Sequence, residues 1–506
     1  MQRSARAHHI LRLLRIAAAV MLLWFNPADT TAEFRVTTPI RAAYDQIMAL
    51  KLDAARLHIN AIREADPSNL LAVYLEDYLD FFTLFIGENR ADYERLLPNR
   101  STRLAALKDG DEDSPYYLYT QAEVHVHWAM IKFKFEENLS AARDINRAFR
   151  LLKRNERWFP DFAPNLKTLG MLRAGVGTIP DKYKWAVRLL SSLEGTIGEG
   201  LADLRRALDL GERSDTFTQN EAHIFYAMAL LHFGNDGDAA WKHLQDAPLR
   251  PAARTVDCFV LANVAMKTRR VDAAIDLLTN RPRDAGIHPF PYLDFTLGLA
   301  KLYRTDPDAD APLKRYVRTF KGINYIKEAY QKIAWHYLIH GDREGYQRNM
   351  TLCRTQGAAV TDEDKHALEE AQSGRVPHPQ LLRARLLFDG GAFDRALTTA
   401  TSIQRTALSP DHELEYTYRL GRIYHALQRH EEALRYYDET ITSGSSAQQY
   451  YACNAALQAG LIHEAHQRYD LAAQYYRTCL SLRPSDYQSS LHQKAKSGLN
   501  RIGIRK

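Results

Sequence analysis

The stretch Leu414–Ala447 has the sequence LEYTYRLGRIYHALQRHEEALRYYDETITSGSSA and carries the clearest structural pattern in the chain. Ala433 and Tyr437 stand four residues apart, so they share one face of a helix. Gly421 stands twelve residues before Ala433, on a preceding helix, where a small residue lets two backbones approach closely. Glu431 falls in the first turn of the second helix, where the helix dipole favours negative charge. The stretch therefore predicts a helical hairpin.

The same pattern recurs along the chain. An acidic residue stands two positions before an alanine in six places, at Ala55, Ala240, Ala274, Ala396, Ala433 and Ala472. Five of these alanines have a small residue twelve positions earlier, and five have a bulky residue four positions later. Neighbouring alanines are 34 residues apart at Ala240 and Ala274 and 39 apart at Ala433 and Ala472. Units of this length bury their apolar faces by stacking on one another.

The chain resembles the tetratricopeptide-repeat superfamily. The matching residues are Leu420, Gly421, Tyr424, Ala433 and Tyr437 in one repeat, Gly460, Ala472, Tyr476 and Pro484 in the last, and Pro67 near the amino end. The chain departs from the family where Thr417 and Ala456 replace its first-helix Trp, and several units lack the closing proline. The resemblance is strongest over 376–486. It implies an all-α fold, a right-handed α-solenoid of helical hairpins with a concave face; a helical repeat of another kind is the alternative.

Helical periodicity in the stretches between these units completes the map, which predicts eleven helical pairs and a terminal helix near 485–502. The pairs are expected near 37–66, 69–108, 114–154, 182–210, 216–246, 251–280, 289–321, 322–356, 376–404, 411–443 and 448–483. We group them into an amino-terminal region at 37–210, a middle region at 216–356 and a carboxyl-terminal region at 376–502.

Three stretches interrupt this rhythm. Asp109–Ser114 predicts a polar loop, and Thr361–Gly374 predicts an acidic, helix-like insert. Trp158–Pro180 contains three prolines and three glycines, which are typical of irregular backbone. It is interpreted as a helix-breaking linker packed on its neighbours or, because exposed aromatic surface marks interfaces, as a lid or docking element.

The amino terminus predicts a secretory signal peptide at 1–32. Four arginines precede the apolar run Ile16–Phe25, and the small residues Thr30, Thr31 and Ala32 follow it. Ten apolar residues are too few to span a membrane. The protein is therefore expected to be exported, periplasmic or secreted, and to have no membrane span once the signal is removed. An amphipathic first helix and an uncleaved anchor are the alternatives.

Charge and motifs exclude several function classes. The 506 residues carry a net charge of +6, and four arginines against one aspartate place half of it in the first 32 residues, which disfavours nucleic-acid binding. The spacing of His463 and His466 does not suit a zinc site, and the glycines at 195–200 do not form a dinucleotide-binding motif. The sequence contains no signature of an enzyme, a metal site or a cofactor. Any catalytic pair would have to assemble across the superhelix.

Two features nevertheless suggest sites. Aromatic side chains cluster on predicted first helices and at the 158–180 insert, and such residues anchor partners at interfaces. The candidate partner-binding residues are Tyr74, Tyr78, Tyr116, Tyr117, Trp158, Phe159, Tyr450 and Tyr451. Packing between hairpins is the other interpretation of this set. Cys453 and Cys479 lie at ends of antiparallel helices that meet, so they are either a disulfide or two buried thiols.

These features favour an exported, non-enzymatic scaffold that binds a protein or peptide in a superhelical groove. The alternatives are an envelope glycan- or nutrient-binding protein on the same frame and a hydrolase concealed in the solenoid. A deep pocket with stacked aromatic rings would favour glycan binding. Two carboxylates facing each other across such a pocket would favour the hydrolase. The sequence does not determine the partner or the oligomeric state.

Overall fold

The computed structural model describes residues 32–179, 192–214 and 216–503. The predicted signal peptide, apart from Ala32, lies outside the described residues, as do 180–191. Within the described ranges the chain forms 24 α-helices and no β-strand, with isolated bridges at Ala32–Gly110 and Glu33–Asn69. The predicted all-α solenoid class is confirmed. No helix in these ranges is both long enough and apolar enough to cross a membrane.

The helices are numbered here in chain order. They are α1 Thr38–Met48, α2 Leu52–Ala65, α3 Leu71–Gly87, α4 Arg90–Lys108, α5 Pro115–Lys134, α6 Asn138–Trp158, α7 Ala163–Gly177, α8 Ile197–Gly211, α9 Gln219–His232, α10 Gly237–Asp246, α11 Thr255–Lys267, α12 Val271–Thr279, α13 Tyr292–Arg304, α14 Asp310–Thr319, α15 Ile326–Ile339, α16 Arg343–Thr355, α17 Asp362–Ser373, α18 Pro379–Asp389, α19 Phe393–Thr401, α20 Pro410–Ala426, α21 His430–Ser443, α22 Tyr451–Ala465, α23 Tyr469–Ser481 and α24 Gln488–Arg501. Two helices lie at each predicted pair other than 182–210, of which the structure describes only 192–210, with α8.

The chain divides into two compact units. Among the described residues, unit 1 comprises 32–85, 90–179, 192–214, 216–235 and 284–288, and unit 2 comprises 86–89, 236–283 and 289–503. The predicted grouping into regions 37–210, 216–356 and 376–502 stays a prediction.

In ten helical pairs, a residue with left-handed backbone conformation lies at the turn between the two helices. The residues with positive φ at these turns are Leu50, Glu88, Glu136, Asn235, Arg269, Thr305, Gly341, Gly391, Gln428 and Gln467. Six of them stand five positions before the six recurring alanines of the sequence pattern. A left-handed conformation costs a non-glycine residue about 1–2 kcal/mol, so the packing of the flanking helices must offset it. The turn is thus part of the repeat, although its residue type varies.

The hairpin α20–α21 of unit 2 shows how the small residue works. A Cβ atom at Gly421 would lie 2.6 Å from Cδ1 of Tyr437, so glycine allows the second helix to rest on the first. Tyr437 and Ala433 are fully buried. Their apolar cluster continues into α18 and α22, so adjacent hairpins share one core. Stacking of this kind lets short amphipathic helices bury their apolar faces.

The segment Trp158–Pro180 differs from the predicted linker. Most of it is helix α7, which packs on α8, and a Cβ at Gly170 would lie 2.8 Å from the carbonyl oxygen of Gly200. Pro164 lies in the first turn of α7, where a helix tolerates proline. Pro164 therefore starts a helix and Gly170 lets two helices approach closely, although both belong to the set interpreted as helix breakers. Helix α8, the described part of the predicted pair at 182–210, packs on α7. The portion of that pair at 182–191 lies outside the described residues, so the pair stays a prediction.

The other two interruptions agree with prediction. Asp109–Ser114 contains no helix, and Ser114 caps α5 by accepting a hydrogen bond from the Tyr116 amide. The acidic insert is helix α17, which Thr361 caps at its start and Gly374 ends with positive φ. Its Asp364 is fully buried and accepts hydrogen bonds from the backbone amides of Tyr325 and Glu328. The insert therefore supports the start of α15.

Candidate functional site

Unit 2 carries arginine and tyrosine side chains on consecutive first helices, two of them buried and four half-buried. They are Arg385 on α18, Tyr418, Arg419 and Arg422 on α20, Tyr450 immediately before α22 and Tyr451 at its first position. We call this set the arginine–tyrosine face. His378 and Ser409 cap α18 and α20, each followed by a proline in the first helical turn, and this fixes where the helices begin.

Three tyrosines of this face pack together. The ring centroid of Tyr451 lies 4.9 Å from that of Tyr418 and 4.8 Å from that of Tyr450. The exposed ring of Tyr487 extends the cluster and lies 5.1 Å from Tyr450. Asn454 donates a 2.8 Å hydrogen bond to the Tyr418 hydroxyl, and Arg422 donates one of 3.0 Å. Tyr418 is thus the buried centre, and the half-buried Tyr450 and Tyr451 form the accessible edge.

The guanidinium groups lie against aromatic rings. Arg419 lies 5.5 Å from the Tyr418 ring centroid, Arg422 lies 5.2 Å from that of Phe388, and Arg385 lies 4.9 Å from that of Trp335. Such cation–π contacts hold the groups in place while keeping their charge. The side chain of Arg385 remains 39% exposed, so its charge is accessible from solvent.

Positive charge exceeds negative charge on this face. Glu415 accepts two hydrogen bonds from Arg419, at 3.1 and 3.0 Å, and Asp389 lies 3.7 Å from Nε of Arg385. Burial, together with the nearby charge of Arg422, lowers the pKa of Arg269, whose guanidinium lies 4.6 Å from the Phe388 ring centroid. The three arginines of the face and the neighbouring Arg269 therefore outnumber these two carboxylates, and the surplus favours an anionic partner.

A histidine beside this face makes the stability of the repeat depend on pH. Burial and the charge of Arg422 lower the pKa of His425 from 6.5 to about 4. The unfolded chain therefore binds this proton more readily, so the contribution is complete above pH 6.5 and is lost as pH falls to 4. We expect the free energy of unfolding to decrease by up to about 2 kcal/mol over this range, allowing for the partial exposure of the ring. Urea unfolding at several pH values measures this decrease in the free energy of unfolding.

The matched variants for this prediction are His425→Gln and His366→Gln. His366 is exposed in the same unit, so its replacement should leave the acid dependence unchanged. His425→Gln should flatten it, and equal pH profiles for His425→Gln and the unmodified protein would contradict the assignment.

The structure places the predicted partner-binding aromatics in three settings. Tyr450 and Tyr451 belong to the arginine–tyrosine face. Tyr74, Tyr78, Tyr116 and Tyr117 are buried in unit 1, each at most 8% exposed. Trp158 is exposed, with the guanidinium of Arg154 4.3 Å from its ring centroid, and Phe159 is half-buried. Burial makes the first four side chains part of the core of unit 1, and a binding role for the set stays a prediction.

Tyr78 belongs to a buried polar network around Lys167 that joins five helices of unit 1. The Lys167 ammonium donates to Glu221 and, at 3.2 Å, to Glu123. Tyr44 and Tyr78 each donate a 2.7 Å hydrogen bond to Glu221. Burial alone would lower the pKa of Lys167, but the two carboxylates raise it well above its usual value. The network therefore holds a charged lysine between two glutamates inside the unit.

Cys453 and Cys479 lie side by side, as the antiparallel helix ends predicted. Their sulfur atoms are 3.6 Å apart, both thiols are free, and both residues are buried in one apolar cluster. Oxidation of the pair in an exporting host stays a prediction. Non-reducing mass spectrometry tests it, since two intact thiols in the exported protein would exclude it.

The arginines of the face were not predicted, although the sequence contains a signal for them. Arg385 and Arg422 each follow the small residue of successive repeats, Ala384 and Gly421. Equivalent positions in stacked hairpins lie on one side, so a shared residue type there indicates a common surface. The described residues contain no cluster of three or more His, Cys, Asp or Glu side chains that could hold a metal ion.

Comparison with known proteins supports the repeat assignment. Residues 417–445 and 454–486 match family models described as tetratricopeptide repeat, which confirms the predicted resemblance with divergent repeats. No curated protein matches the sequence significantly. Among solved structures, the crystal structure of a Rap protein complexed with competence and sporulation factor is 12% identical. That comparison covers 81% of this chain and 97% of the Rap chain, with a TM-score of 0.30.

Proposed function

We propose that this chain, with tetratricopeptide repeats in its carboxyl-terminal part, is a non-enzymatic scaffold that binds an acidic peptide segment of a partner protein on the arginine–tyrosine face. The observation that carries the proposal is the surplus of guanidinium groups on consecutive first helices of the repeats. The half-buried Arg385 and Arg422 lie against aromatic rings, which orient them before a partner arrives. Arg419 is buried and bonded to Glu415, and it supports the Tyr418 ring from within. Arginine and tyrosine are among the residue types enriched at the energetically dominant positions of protein interfaces.

The chemistry of the face defines the partner. A guanidinium group binds a carboxylate through two parallel hydrogen bonds, so the surplus arginines suit Asp and Glu side chains or a chain terminus. The edge of Tyr450 and Tyr451 provides apolar ring surface for a neighbouring side chain. The expected ligand is therefore an extended peptide with carboxylates next to an apolar or aromatic residue.

Selection from a random peptide library on the full-length protein tests this proposal. Enriched peptides should combine acidic and apolar residues, and Arg422→Glu should weaken a selected peptide by about thirtyfold, as expected for an arginine worth about 2 kcal/mol at an interface. Fluorescence anisotropy measures the affinity. Arg435→Glu is the matched control, because Arg435 is exposed on the second helix α21. Selection without acidic enrichment, or equal losses in both variants, would contradict the proposal.

The proposal includes export through the amino-terminal signal. It is supported by the arginines before the apolar run Ile16–Phe25 and the small residues that end at Ala32. Expression in a bacterial host should give an envelope-fraction protein whose mass lacks the first 32 residues or so. Recovery of the intact chain from the cytoplasm would reject this part of the proposal.

A further inference from the structure

Unit 1 contains a solvent-accessible pocket between α4, α5 and α6, with a volume of about 430 Å³. Its walls include the half-buried apolar side chains of Leu104 and Leu151. Cationic side chains dominate the remaining lining. A pocket of this size accommodates a small molecule.

The helix α6 presents five arginines on one side. They are Arg143, Arg147, Arg150, Arg154 and Arg157, spaced alternately by four and three residues. At 3.6 residues per turn this spacing keeps all five within a sector of about 80°. The first three line the pocket, and Lys108 of α4 lies opposite them. Arg143, Arg147, Arg150 and Lys108 form no ion pair with any carboxylate in the part of the chain that the structure describes.

The pocket's own carboxylate is already neutralised. Asp144 accepts hydrogen bonds from Arg100 and, at 2.7 Å, from the buried Lys132, and His125 lies 2.8 Å from it. These partners outweigh burial, which acts in the opposite direction, and lower the pKa of Asp144. Asp144 therefore has no remaining charge to offset the arginines above it. The Nε atom of Arg100 is buried without an acceptor among the described residues, which is typical of a site that holds water or an ion.

We propose that this pocket binds a small soluble molecule that carries a diphosphate or triphosphate group. Four uncompensated cations surround a space of about 430 Å³, and a condensed phosphate places three or four negative charges in such a volume. A carboxylate ligand of the same size carries its charges farther apart on a carbon frame. Leu104 and Leu151 would contact the rest of the molecule. This site lies in unit 1 and is independent of the peptide-binding role proposed for unit 2.

Isothermal titration calorimetry of the full-length protein with inorganic tripolyphosphate tests the site. We expect saturable binding of one ligand per chain that weakens steeply with added salt. Arg147→Glu/Arg150→Glu should reduce the affinity by about a hundredfold or more, because it removes two charge-assisted contacts and adds repulsion. Arg157→Glu, on the same side of α6 but outside the pocket lining, should change it less than about threefold. Citrate should bind at least about tenfold more weakly than tripolyphosphate.

Several outcomes would overturn the proposal. Absence of saturable tripolyphosphate binding by the folded protein rejects the site, and equal affinity for citrate rejects its phosphate selectivity. A loss in Arg157→Glu as large as in the double variant would indicate an extended polyanion lying along the helix. Preference for vesicles of phosphatidylglycerol over tripolyphosphate would indicate a membrane surface. If the double variant does not fold, as judged by circular dichroism, Arg143→Gln/Lys108→Gln takes its place, with an expected loss of about tenfold or more because it removes two contacts without adding repulsion.

Discussion

Replacing Lys167 with methionine is expected to destabilise unit 1 by about 3–5 kcal/mol. Methionine keeps most of the side-chain volume but leaves Glu123 and Glu221 buried without their cation. Burial by itself would raise the pKa of Glu221, and the Lys167 charge reverses that effect and lowers it. Removing the lysine therefore leaves two like charges together in the interior, where water cannot solvate them.

Urea unfolding of the full-length protein, followed by hydrogen exchange in peptides from α5, α7 and α9, measures this loss within unit 1. Lys51→Met is the control, since Lys51 pairs with Asp284 in an exposed ion pair at 3.2 Å and should contribute less than about 1 kcal/mol. Adding Glu221→Gln to Lys167→Met should recover part of the stability. A loss below about 1 kcal/mol in Lys167→Met would show that the network does not hold an essential charge.

Replacing Tyr476 with alanine is expected to destabilise the last repeat by about 3–5 kcal/mol. The ring is fully buried, and Cβ atoms at Gly460 or Gly498 would lie 2.6 and 2.5 Å from it. It therefore fills the contact among three helices, α22, α23 and α24, and its loss leaves a cavity. The hydroxyl group also donates to Glu464, which would lose that hydrogen bond.

Hydrogen exchange in peptides from α22 to α24, combined with urea unfolding, measures the effect of Tyr476→Ala. Tyr469→Ala is the matched control, because Tyr469 begins the same helix α23 and is 48% exposed. It should change stability by less than about 0.5 kcal/mol. Similar losses in the two variants would mean that the ring of Tyr476 is not what joins these helices.

The helices were predictable because their signals are local. Recurring alanines with small and bulky residues at fixed spacing locate six of the hairpins. The described residues contain both helices of ten expected pairs, and the eleventh, 182–210, is described only in part. The close packing of α7 on α8 was not predicted, and it depends on Gly170 and Gly200. Glycines and prolines in one segment suggested irregular backbone, whereas their role follows from a partner helix that the local sequence does not reveal.

The candidate sites were less predictable because they depend on contacts between distant residues. Tyr78 was a candidate partner-binding residue, with packing between hairpins as the other interpretation. Its hydroxyl bonds to Glu221, which is 143 residues away in the sequence. A single tyrosine has the same local pattern in either setting. The pocket arginines do leave a trace in the sequence, the alternating spacing of four and three residues on α6. Only the structure shows that the carboxylate of the neighbouring Asp144 is paired with other cationic side chains.

The hydrogen bond from Tyr44 to Glu221 links the first helix of unit 1 to its ninth, across 177 residues. In an ordinary repeat array each module touches only its neighbours, so the ends fray independently and unfolding can spread from either one. The hydrogen bond between Tyr44 and Glu221 joins the two ends of unit 1, so they cannot unfold independently. Unit 1 should melt cooperatively, and deleting its first hairpin should loosen helices far away in sequence, whereas the carboxyl-terminal repeats can be shortened module by module.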